Sequence, residues 1–351
     1  MARRSKKTAA AVEPPAEIRT VLPNSRVTPR FAGLVTFGRY PRLADVLPAS
    51  RPVDWAVFGV PFDAGVTYRP GARFGPRAIR EESQYLKPFH LEYQLLLTEI
   101  LSLADAGDAP VAPFDLRANS DLTDAFARQT MQTGVGSMLA LGGDHSIALG
   151  NIRATAAAHA PRGRRLGLIH FDSHLDTVDQ VWGQTHSHAS PFRRAIEEGL
   201  IDPALMLSVG VKGPLNTPDD LRFAQEHGVT VVTRADLDRE GTRRIDAFIK
   251  KLGDHPCYLT FDVDVIDPAF APGTGTPSVG GLTTSDALAL LRHLAISATG
   301  KGPPNIVGAD VVEVLPDRDV GGATALLAAH IAFEVLCLAA LRRVATASGR
   351  A

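Results

Sequence analysis

Short, nearly continuous apolar runs recur along this chain, separated by stretches in which apolar positions return every three or four residues. The runs at 55–60, 138–141, 166–171, 206–209, 229–232, 258–261 and 306–311 predict strands, with a weaker one at 100–104. The periodic stretches at 121–133, 147–159, 218–227, 239–252, 284–298 and 324–344 predict helices. Such alternation predicts an α/β fold with a parallel sheet and helices on both faces. Runs like Leu166-Gly167-Leu168-Ile169 have no polar alternation, as expected of strands covered on both sides. No run approaches the length of a membrane span, and no internal repeat interrupts the pattern.

Composition narrows the reading. With 351 residues, 45% of them hydrophobic, the chain can build one large core, and we expect a single domain over 29–351. Residues 1–28 are expected to form a mobile arm or a subunit contact, since the basic start precedes a stretch too short and too proline-interrupted for a signal peptide. Thirty-seven basic residues against thirty-eight acidic ones give a net charge of −1, which argues against a nucleic-acid partner and for a small molecule. Cys257 and Cys337 both sit in apolar runs and read as buried residues of a reducing, cytoplasmic compartment.

Candidate chemistry gathers where strands are expected to end. Gly142-Gly143-Asp144-His145-Ser146 follows one run, Asp172-Ser173-His174-Leu175-Asp176 a second, and Asp262-Val263-Asp264 a third. Open α/β sheets bind ligands at such carboxyl ends. If the segments are extended, Asp172, His174 and Asp176 point one way, as do Asp262 and Asp264. Each cluster alone is compatible with a tight turn or a helix-capping aspartate. Together they supply four carboxylates and two imidazoles, a set suited to Mn, Ni or Zn, whose charge balances two divalent cations. A two-metal hydrolase that activates water is the reading they support.

These clusters, with Tyr68-Arg69-Pro70-Gly71-Ala72-Arg73-Phe74-Gly75-Pro76 upstream and Asp267-Pro268-Ala269-Phe270-Ala271-Pro272-Gly273-Thr274-Gly275-Thr276-Pro277 and Gly308-Ala309-Asp310-Val311-Val312-Glu313-Val314 downstream, resemble the ureohydrolases: arginases, agmatinases and guanidino-acid hydrolases. The agmatinase branch is the nearest match, over roughly residues 30 to 345. The resemblance implies three layers, α/β/α, around an eight-stranded mostly parallel sheet, and a homo-oligomer, trimeric or hexameric. It implies two divalent ions, Mn first and Ni second. One ion would take His145, Asp172, Asp176 and Asp262, and the other Asp172, His174, Asp262 and Asp264. It further implies that Glu313 pairs with the substrate guanidinium, that His188 shuttles a proton to the leaving amine, and that Asp176 can do so from the water. The products would be urea and an amine or ammonia.

Departures from the family pattern lie near the expected substrate. His188-Ala189-Ser190 stands where relatives read His-Gly-Thr, His186 replaces an aromatic residue, and Ser278 replaces a frequent Glu. Loss of an acidic group and a methyl beside the proton shuttle disfavour agmatine, leaving guanidino acids, free guanidine and N-alkylated guanidines or biguanides as candidates. Two other classes are weighed: a non-catalytic subunit of a hetero-oligomer, disfavoured because every ligand and Glu313 are kept, and a zinc deacetylase, which needs one ion and fewer carboxylates.

Overall fold

In the computed structural model, residues 20–47, 52–160, 163–296 and 302–349 are described. Eight strands form one sheet: β1 (Val53–Val60), β2 (Leu103–Asp108), β3 (Val135–Gly142), β4 (Leu166–Phe171), β5 (Ile201–Val211), β6 (Thr230–Thr233), β7 (Cys257–Asp262) and β8 (Ile306–Val312). Their order is β2-β1-β3-β8-β7-β4-β5-β6, and every pairing is parallel. The four central strands β3, β8, β7 and β4 end at one edge, and the three acidic clusters and Glu313 leave from those ends.

Alternation along the strands builds two cores. Val57, Leu139, Ile169, Leu259 and Ala309 pack with helices α1 (Gly75–Glu82), α5 (Arg243–Leu252), α6 (Thr284–Ile296) and α7 (Ala323–Ala347). Ala56, Met138, Leu168 and Tyr258 pack the other way, against α2 (Leu116–Gln132), α3 (Ala148–His159) and α4 (Pro191–Glu197). The expected α/β/α sandwich is therefore present, with a sheet parallel throughout.

Several expectations need correction. The strand expected at 100–104 begins at Leu103, because the residues before it close a short helix, Leu97–Ile100. β5 starts five residues before the expected 206: Pro203 falls in a stretch where pairing with β4 jumps from Leu166↔Ile201 to Leu168↔Met206, and such an irregularity tolerates the missing N–H. The helix expected over 239–252 is two, broken at Gly241, which caps the first with a φ of 60°. Helices α1 and α4 were missed, being short and carrying Pro in the first turn rather than a long apolar period. A membrane-length run does exist, since α7 is long and apolar enough by composition to cross a bilayer. It is instead mostly buried in the protein, apolar on all sides, with Glu334 inside it bonded to His90 Nε2 at 3.0 Å and paired with Arg292. Residues 1–19 of the expected arm and 297–298 of the expected helix lie outside the described residues. Thr20 is buried, its hydroxyl accepting from Leu103 N–H at 2.8 Å.

The backbone is tightest where β3 hands over to the first cluster. Gly143 N–H donates to Val60 O at 3.1 Å and its carbonyl accepts from Glu313 N–H at 2.9 Å. A Cβ on Gly143 would sit 2.6 Å from Val60 O. Gly143→Ala is therefore expected to push β1 and β3 apart at this edge, costing about 1–3 kcal/mol. Calorimetry should show a lower melting temperature, with weaker metal binding as His145 shifts; an unchanged melt would refute the account.

Candidate metal centre

His145 stands at the centre of the first cluster. Its Nε2 lies 2.8 Å from Thr260 Oγ1, and Thr260 gives its own proton to Asp310, which also accepts from Tyr258 OH at 2.6 Å. With its hydroxyl proton committed to Asp310, Thr260 accepts from His145, so Nε2 carries the proton and Nδ1 presents its lone pair. That Nδ1 is buried without a hydrogen-bond partner among the described residues, and faces Asp176 Oδ2 at 2.9 Å, Asp172 Oδ2 at 3.1 Å and Asp262 Oδ2 at 3.3 Å. A lone pair against three carboxylate oxygens is repulsive unless a cation lies between them. One proton could satisfy one oxygen, not three.

The second cluster shares Asp172. His174 Nδ1 lies 3.2 Å from Asp172 Oδ1 and 3.1 Å from Asp264 Oδ2. Asp172 thus turns one oxygen to each histidine, and potential ligand groups form around His145 and around His174. The carboxylates are nearly inaccessible, whereas the His174 side chain is 40% exposed and opens to solvent. Burial, then the charges of Asp264 and Asp172, push the Asp262 carboxyl well above the carboxylate range; burial and Asp172 likewise raise Asp176. Carboxylates so crowded gain their charge back from cations, and the donor set fits two divalent ions.

All six expected metal ligands are therefore brought together, though not by extended segments. Asp176 reaches His145 because its own backbone turns left-handed, with φ of 52°. Asp264 lies in a single 3-10 turn, Val263–Val265, which Asp262 caps by accepting Asp264 N–H at 2.8 Å. Loop geometry, not strand alternation, aims these groups.

Glu313 is also left-handed, with φ of 66°. Its Oε1 accepts from His145 N–H at 2.9 Å and meets His188 Nδ1 at 2.8 Å, while the buried Oε2 has no partner among the described residues. One oxygen, not an open fork, remains for a ligand. His188 Nε2 accepts from Thr67 N–H at 3.0 Å and lies 2.7 Å from Thr67 Oγ1. Burial would lower the His188 imidazolium's pKa, but the charge and hydrogen bond of Glu313, with Asp144 and Asp176, raise it to about 9. Asp144, the turn-capping aspartate, accepts from Gly65 N–H at 2.7 Å and is pushed up to about 7 by burial and by Glu313.

A cleft of about 580 Å³ leads to this centre, lined by His174, Asp176, Asp262, His188 and Ala189 among others. Of the departures noted in the sequence, Ala189 alone lines it. Ser278 lies beside Gly213, and His186 bonds to Thr185.

A model of the arginase family matches residues 53–338. The chain belongs to the arginase family. It is 44% identical to the guanidinopropionase of Pseudomonas aeruginosa, over 89% of this chain and 93% of that protein. The structure of proclavaminate amidino hydrolase from Streptomyces clavuligerus superposes with a TM-score of 0.81 at 39% identity, covering 90% of this chain and all of that one. Arginase from Bacillus caldovelox superposes at 0.66 and 26% identity, over 81% and 98%. This arginase-family protein is thus an enzyme, an amidinohydrolase of the ureohydrolase group, in a family that is binuclear and metal-dependent.

Some residues at the centre escaped sequence reasoning. His170 bonds to Asp172 Oδ2 at 2.8 Å and to Ser208 Oγ at 3.1 Å, fixing that carboxylate; its place two residues before Asp172 was the available signal. Lys212, just past β5, donates to Ser173 Oγ and to Asp264 O at 2.8 Å, clasping the β4 and β7 loops together. Thr276 Oγ1 holds Asp264 Oδ2 at 3.1 Å. Removing the clasp with Lys212→Met should weaken metal binding by about 10–100-fold, read by calorimetric titration of Mn into metal-free protein. Unaltered affinity would show that Lys212 does not position the His174 side of the centre.

Proposed function

We propose that this enzyme hydrolyses the guanidino group of a small substrate, releasing urea and an amine or ammonia. The observation that carries the reading is the buried lone pair of His145 facing three carboxylate oxygens, beside a buried Glu313 oxygen with no partner among the described residues. His145, Asp172, Asp176 and Asp262 would hold one divalent ion, and Asp172, His174, Asp262 and Asp264 the other, Mn or Ni. Two bound ions supply electrostatic activation of water and stabilise charge developing at the attacked carbon.

The chain's own groups do the rest. Glu313 Oε2 accepts an N–H of the guanidinium, a charge-assisted bond that sets the carbon toward the centre. His188 is held at Nδ1 by Glu313, whose charge favours the imidazolium, and its Nε2, which accepts Thr67 N–H here, is the nitrogen that would carry the proton to the departing amine on leaving Thr67. Asp176, with its carboxyl raised by burial and Asp172, takes a proton from the attacking water. The names guanidinopropionase and proclavaminate amidino hydrolase support a guanidino or amidino substrate.

The purified single chain, loaded with Mn or Ni, should release urea from at least one guanidine in a panel of agmatine, guanidino acids, free guanidine and N-alkylguanidines, and Asp172→Asn should abolish both turnover and metal retention. Metal-replete protein inert toward the whole panel would overturn the reading and favour a non-catalytic subunit. The pH dependence follows from the sign of the His188 shift. A pKa raised to about 9 keeps the proton in place below that pH, so kcat/KM should fall as pH rises through it. Nearby cations move the fall lower, never higher. His188→Asn should remove this limb and cost about 100-fold or more in kcat.

A further inference from the structure

The cleft carries a backbone feature that cleavage of a guanidino group does not itself require. Trp182 is 80% exposed and has φ of 51°, followed by Gly183 at 77°. These two are the centre of a tight turn closed by Val181 and Gln184, each donating its N–H to the other's carbonyl at 2.9 Å. Such two-residue turns, left-handed at both centres, favour Asn-Gly or Gly-Gly. A bulky side chain there is strained, and a tryptophan left in water recovers nothing by burial. The strain places an indole on the rim of the cleft.

The surrounding wall says what that indole meets. Val178, Val181, Leu215 and Pro214 line the cleft beside Trp182, and among the described residues no Lys or Arg lines it. Outside the metal centre and His188, the charged side chain on the wall is Asp220. Its Oδ2 is engaged as a cap, accepting Asn216 N–H at 2.8 Å and Thr217 N–H at 3.2 Å. A carboxylate tail would find no cation and one like charge. An ammonium tail would meet Asp220 and the indole face but would lose water against Val178, Val181 and Leu215, whereas an alkyl tail gains from that apolar contact without giving up a charge's hydration.

We propose that Trp182 is a specificity-determining residue whose ring walls an uncharged, apolar substrate tail, so that N-alkylguanidines are preferred over guanidino acids and agmatine; this rests on the guanidino-hydrolase reading. Butylguanidine, agmatine and 4-guanidinobutyrate offer nearly isosteric tails ending in methyl, ammonium and carboxylate, with methylguanidine as the short comparator. For the metal-loaded full chain, kcat/KM should be highest with butylguanidine. Trp182→Gly should lower the butylguanidine-to-methylguanidine ratio by about tenfold, mainly through KM, without lowering the melting temperature, because glycine accepts the turn. Trp182→Phe should keep most of the ratio. Agmatine or guanidinobutyrate surpassing butylguanidine, or a Trp182→Gly enzyme with an unchanged ratio, overturns the proposal alone. Silence of the whole series in metal-replete protein removes the guanidino reading and the proposal with it.

Discussion

Four buried carboxylates crowd two imidazoles at the ends of adjacent strands, and much of the neighbouring structure holds them there against their repulsion. Like charges 4–5 Å apart at an effective dielectric near 20 repel by roughly 3–4 kcal/mol per pair, comparable to a substantial share of a domain's net stability. Rigid supports oppose it. Asp172 is held by His170 and by His174 N–H, Asp262 by Asp264 N–H, and Asp264 by Ser173 N–H and Thr276. The chain from Asp310 through Thr260 to His145 Nε2 settles which ring nitrogen is free. Cations then turn an electrostatic liability into the feature that makes the site useful.

The same arrangement joins metal centre to substrate machinery. Glu313 Oε1 accepts from the backbone N–H of His145 and meets His188, so a single carboxylate oxygen ties the proposed proton donor to a proposed metal ligand. Gly143 O accepts from Glu313 N–H, making β3 and β8 share this corner. A shift of the β3 loop would therefore move donor, acceptor and ligand together. Farther out, support weakens: the cleft wall is a turn and a few apolar side chains, and Trp182 stands free in solvent. The proposed chemistry is held by the sheet edge, while the proposed tail selection is left to a loop that can vary without disturbing it.

Much of this was legible in the order of residues. The apolar runs located seven central or flanking strands because strands buried on both faces need no partner to announce themselves, while boundaries shifted at the edge strand β2, at the Pro203 irregularity in β5 and at the starts of β1 and β3. The six ligands stood out because carboxylates and imidazoles are costly at strand ends facing a core unless they serve together, whereas His188 and Glu313 were marked by the family resemblance. The short helices α1 and α4 did not, having too few turns to show a period.

The sequence by itself determined the layered fold, the donor set and its charge, since period, polarity and residue type are local properties. Tertiary structure alone decided how those donors meet. The left-handed turn at Asp176 overruled the extended geometry its spacing suggested, and a second one sets the backbone of Glu313. Lys212, Thr260, Asp310 and Thr67 became part of the site only through contacts across distant segments. A carboxylate's role depends on which way its oxygens point and what already occupies them, and that is fixed by neighbours far along the chain.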